Sequence, residues 1–84
     1  MVRDTILILE DDNASRSKLV ELLQDKYKIL EVSNEKDGVN VFRKHASAIA
    51  VVLVNLMIPA KDNFKVMRHL SEKGFLKRIP FIMI

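Results

Sequence analysis

The stretch "TILILEDDN", Thr5 to Asn13, decides how the rest of the chain is read. Thr5 to Leu9 is a short apolar run with no polar alternation, the pattern of a strand buried on both faces of a parallel sheet. The run stops at an acidic turn, Glu10, Asp11, Asp12 and Asn13. Beyond it Leu19, Val20, Leu22 and Leu23 fall at helical spacing within "ASRSKLVELLQDKY". Strand, acidic loop and helix follow one another in the order of one half of a βαβ unit.

Outward from that unit the same alternation continues. "KILEV" reads as a second strand, and "NEKDGVNVFRKHA" places Val39, Phe42 and Ala46 on one helical face with polar residues opposite. Ala50 to Val54, "AVVLV", is the third strand and the most β-prone segment. After a turn around Pro59, Phe64, Met67 and Leu70 mark one face of a third helix that ends near Gly74. Pro80 then introduces "FIMI" as a fourth strand. The order β-α-β-α-β-α-β predicts an α/β fold: a parallel sheet covered on both faces through right-handed crossovers. There are no repeats, no low-complexity segments and no linker.

Composition sets the outer bounds. The 84 residues allow one domain, near the lower size at which a core stands without staples. The absence of Cys excludes a disulfide framework and a Cys-based zinc site, and no secretory signal pattern opens the chain, so a cytoplasmic protein is expected. The longest apolar run, Ala46 to Val54, is broken by Ser47 and is strand-sized, so no membrane partner is expected. The formal charge of +3 could favour nucleic acid, but Arg16, Lys18, Lys26, Lys28, Arg43, Lys44, Arg68 and Lys73 are scattered among acids. That pattern reads as a solvated surface, and nucleic acid is not an expected partner of this segment.

Sites in parallel sheets form where loops leave the carboxyl ends of neighbouring strands. Here those ends carry "EDD" after the first strand and Asn55 after the third. Oxygen-rich side chains converging there suit a hard cation such as Mg²⁺, with Glu10 and Asp11 as candidates. A carboxylate at position 55 would also serve as nucleophile toward a phosphoryl donor, through an aspartyl-phosphate intermediate. Asn55 lacks the anion for that step.

With "ILILEDD", the "DG" of Asp37 and Gly38, "VLVNLMIP" and "IPFIMI" in view, the chain resembles the receiver domain of bacterial two-component response regulators, from about Val2 to Ile84. The resemblance implies a flavodoxin-like (CheY-like) fold with strand order 2-1-3-4-5, incomplete here. Residues 1–84 would be the N-terminal portion of a receiver domain, without its last strand and last two helices. It further implies that Glu10 and Asp11 sit at the metal-binding acidic pair and that Asn55 stands at the phosphoacceptor aspartate. Met57 would offer its backbone carbonyl to the metal, and Pro59 and Asp62 match the following loop.

Three departures from the family pattern follow. Asn55 replaces the phosphoacceptor; Asn63 stands where Gly is usual; and the chain stops before the family's switch Thr/Ser and strand-five lysine. Asn63 is easily accommodated, since Asn tolerates a left-handed backbone better than most residues. Losing the position-55 carboxylate lowers the site's charge, so Mg²⁺ binding is expected to be weak or vestigial. An exposed fourth strand would favour self-association. Three readings of Asn55 stand side by side: a polar group bonded to backbone at a strand end, a receiver frozen in one state, and an engineered Asp-to-Asn change.

Simpler readings accompany the other residues. "EDDN" on its own is a helix-capping cluster, Asp62 a turn residue in "PAKDN", Met57 and Met67 packing residues, and His45, Lys61 and His69 surface residues. The expected function is a non-enzymatic, phosphorylation-deficient receiver-like module of two-component signalling, acting by protein interaction or self-association. One alternative is a fragment or Asp-to-Asn mutant of a conventional phosphoacceptor regulator, with a histidine kinase and an output domain as partners. A fragment of an unrelated α/β phosphotransferase is another, although "EDDNAS" lacks the glycines of a phosphate-binding loop.

Overall fold

Secondary structure follows the apolar periodicity closely. The computed structural model describes residues 3–55 and 79–83. Four strands and two helices lie within them: β1 (Thr5–Glu10), α1 (Asn13–Leu23), β2 (Lys28–Val32), α2 (Glu35–His45), β3 (Ile49–Asn55) and β4 (Phe81–Met83). All three strand pairings are parallel, in the order β2-β1-β3-β4. The chain is an α/β protein of flavodoxin-like kind. The third helix expected around Phe64, Met67 and Leu70 lies outside the described residues.

β1 is buried along its whole length because it is an inner strand with neighbours on both sides. Register divides the sheet into two faces. Leu7 lies level with Leu30 and Val52, and Leu9 with Val32 and Val54. These residues form the main core with Val39 and Phe42 of α2, Ile49 and Ile79, and the Phe42 ring meets Phe81 at a centroid distance of 5.9 Å. The opposite face carries Ile6, Ile8 and Glu10 of β1, level with Val51, Leu53 and Asn55 of β3. Glu31 of β2, level with Ile8, is on this face too and pairs with Arg16 of α1. The two helices therefore cover opposite faces.

α1 contributes less apolar burial than its sequence suggests. Leu19, Val20 and Leu23 are half-buried, but Leu22 is 78% exposed. Its position, one residue before Leu23 on a 3.6-residue turn, rotates it off the inward stripe. The helix also ends earlier than "QDKY", at Leu23, with Gln24 as its C-cap.

One irregularity sets the register at the top of the sheet. Thr5 pairs with Ile49 but Ile6 pairs with Val51, so Ala50 is an extra residue in β3. A bulge of this kind offsets the strand by one position, and a one-residue slip moves every side chain to the other face. With the offset in place, Asn55 stands level with Glu10 on the same face.

Gly38, in the first turns of α2, packs directly on β1. A Cβ there would lie 3.1 Å from Cδ2 of Leu9, whose side chain is fully buried. The small residue lets α2 approach the sheet closely, a physical reason for the "DG" pair that the sequence displays.

Candidate functional site

The acidic turn after β1 divides into three separate jobs. Glu10 still belongs to the strand, and its side chain is only 1% exposed. Asp11 is exposed. Asp12 is the N-cap of α1, its carboxylate accepting from the Ser15 backbone amide at 2.8 Å. The Ser15 amide and then its hydroxyl hold the Asp12 carboxyl below the usual 3.8, against an opposing desolvation, and the Arg16 charge adds a lesser lowering.

A buried carboxylate must have its oxygens satisfied by donors. Both oxygens of Glu10 are. Asn55 donates from Nδ2 to Oε1 at 2.6 Å, and the Asp12 backbone amide donates to Oε2 at 3.2 Å. The neighbouring carbonyl is also taken, because Arg16 donates from Nη1 to the Glu10 backbone oxygen at 2.7 Å. The same guanidinium donates to Asn13 Oδ1 and, through Nε, to Glu31 Oε1 at 3.2 Å. Arg16 thus fastens the first turn of α1 to the ends of β1 and β2. It was read from sequence as one of many scattered surface charges, and nothing in its immediate neighbours marks it otherwise.

The structure brings Glu10 and Asn55 together at the carboxyl ends of adjacent strands and leaves Asp11 exposed beside them. Met57, Pro59 and Asp62 lie outside the described residues. A cation at Glu10 would compete with N–H donors, since it needs oxygen lone pairs facing it and each Glu10 carboxylate oxygen already accepts one hydrogen bond. Among the described residues, no three His, Cys, Asp or Glu side chains gather closely enough to hold a metal ion.

No protein-family model and no solved structure matches the chain. Curated relatives do. Over 69 residues the chain is 29% identical to the Transcriptional regulatory protein CiaR of Streptococcus pneumoniae, covering 82% of this chain and 30% of that protein. Protein PilH of Pseudomonas aeruginosa is 29% identical over 80 residues, covering 94% of this chain and 64% of PilH. The Two-component response regulator-like APRR1 of Arabidopsis thaliana is 24% identical over 83 residues, covering 98% of this chain and 13% of its own length. The chain is similar to response regulators. The receiver-like chain spans less than two thirds of the length of each of these relatives. No helix among its described residues is long and apolar enough to cross a membrane.

Proposed function

We propose that this receiver-like chain is a cytoplasmic, non-enzymatic signalling module that is not phosphorylated at position 55 and works through protein contacts. The observation that carries the reading is the pairing of Asn55 with Glu10 at the ends of β3 and β1. At the point where a phosphoryl-accepting carboxylate would stand there is a neutral amide, and its nitrogen is committed to a hydrogen bond. An amide has no anionic oxygen with which to attack a phosphoryl group. The likeness to response regulators supports the signalling role, and with it a histidine kinase or an output domain as the class of partner. Glu10 and Asp11 are the remains of an acidic site in which Mg²⁺ binding is at most weak.

Self-association through β4 belongs to the same reading. β4 is the outer strand on its side of the described sheet, and Ile82 within it is 49% exposed. An apolar edge of this kind is a template for pairing with another chain.

Two experiments test the reading. The chain is incubated with acetyl phosphate and Mg²⁺ and its intact mass is measured. The expected result is no phosphoryl adduct, and an adduct mapped to the β3 end refutes the phosphorylation-deficient assignment. Light scattering across a concentration series is expected to show a dimer or larger assembly, and a folded monomer throughout removes the β4 contact.

A further inference from the structure

We infer that the side-chain amide of Asn55 takes the place of a cation at Glu10, so that this acidic pocket is complete and stable without a divalent metal. The inference rests on the receiver-like reading of position 55 and goes further, by giving the substituted residue a structural task. A carboxylate 1% exposed has lost its water and needs compensation from within the protein. Two sources are available to such a site, a bound cation or N–H donors. Here the donors are present on both oxygens: Asn55 Nδ2 at 2.6 Å and the Asp12 backbone amide at 3.2 Å. Arg16 closes the third approach, at the Glu10 carbonyl, with its guanidinium at 2.7 Å. Each of the three Glu10 oxygens accepts a hydrogen bond, so a metal would have to compete with a donor at every one.

Asp at position 55 would reverse this. The 2.6 Å contact would then join two carboxylate oxygens, and two like charges at that distance cannot both persist without a proton or a cation between them. The identity of one atom at position 55 therefore selects between a pocket whose carboxylate is served by N–H donors and one that needs a proton or a cation between two carboxylates.

The test compares the thermal midpoint of the chain in EDTA and in a MgCl₂ series, beside Asn55→Asp under the same conditions. A ligand that binds only the folded state raises the midpoint with each tenfold step above its Kd. The wild-type midpoint is expected to stay constant, while that of Asn55→Asp falls in EDTA and recovers as Mg²⁺ is added. A second readout uses Mn²⁺ as a paramagnetic probe of the backbone amide signals of residues 10–12. These are expected to stay sharp in the wild type and to broaden in Asn55→Ala, which frees Glu10 Oε1 without adding a charge. That variant keeps the test decisive should Asn55→Asp fail to fold. A wild-type midpoint that rises with Mg²⁺, or wild-type signals broadened by Mn²⁺, overturns the inference; so does an Asn55→Asp chain that folds but ignores Mg²⁺. Wild-type stabilisation by Mg²⁺ without labelling by acetyl phosphate would overturn this inference alone, whereas labelling at position 55 would bring down the functional reading beneath it.

Discussion

Truncating Asn55 to Ala isolates the contribution of its contact with Glu10. The substitution removes a short, charge-assisted hydrogen bond and leaves Oε1 of a 1% exposed carboxylate without its side-chain donor. Hydrogen bonds to charged groups contribute about 1.5–3 kcal/mol. Water entering the space left by the amide would re-solvate the oxygen in part, which draws the expected loss toward about 2 kcal/mol. For a domain of this size that corresponds to a fall in thermal midpoint of about 8–16 °C. Against a total stability of roughly 0.05–0.15 kcal/mol per residue, it is a large fraction. Urea denaturation followed by circular dichroism measures it directly, with Glu10→Gln and the double variant completing a cycle. A coupling energy of about 0.5–3 kcal/mol is expected between the two positions, as for residues in direct contact. Strict additivity, or an Asn55→Ala midpoint equal to the wild type, would refute the view that this bond holds the strand ends together.

Two further substitutions test the packing of α2 and the cap of α1. Gly38→Ala gains about 1 kcal/mol of helix propensity but sets a Cβ 3.1 Å from the buried Leu9 side chain, and overpacking costs about 1–3 kcal/mol, so a net loss in a urea melt is expected. A gain would show that Leu9 has room to yield. Because Asp12 titrates below 3.8 in the folded chain, its stabilising contribution is fully present above that value and is lost as pH falls through the folded pKa. Asp12→Asn keeps a capping oxygen while removing the titration, so its stability between pH 5 and pH 2 should decline less steeply than the wild type's in acid titrations followed by circular dichroism.

Much of the fold was legible because burial writes directly into residue type. "TILIL" is apolar from Ile6 to Leu9, and its strand has a neighbour on each side; "KILEV" matches β2 residue for residue. Val39 and Phe42 fall on the buried face of α2 as their spacing predicts. Leu22 misleads because spacing alone does not say where the inward stripe ends. The site was legible only as a neighbourhood: sequence marks "EDDN" as acidic and Asn55 as the end of a strand. It cannot divide three carboxylates into a buried partner, an exposed residue and a helix cap, because that division depends on which of them the strand carries inward. Arg16 was missed for a related reason. Its three acceptors are the Glu10 carbonyl, Asn13 and Glu31, and the last comes from a different strand that only the folded sheet brings near.

The extra residue in β3 bears on where a change of length in this chain would be felt. Between α2 and β3 the backbone turns through Ala46, Ser47 and Ala48, and the bulge at Ala50 lies between that turn and the upper ladder. A length change in the turn displaces Ala48, whose carbonyl accepts from the Thr5 amide at 3.1 Å, and the fully buried Ile49, so its cost falls on the lower end of β3. Above it, the pairs from Ile6 with Val51 to Glu10 with Asn55 keep their own count. The bulge therefore separates two counts along β3: the lower one ends in the core at Ile49, and the upper one sets Glu10 level with Asn55.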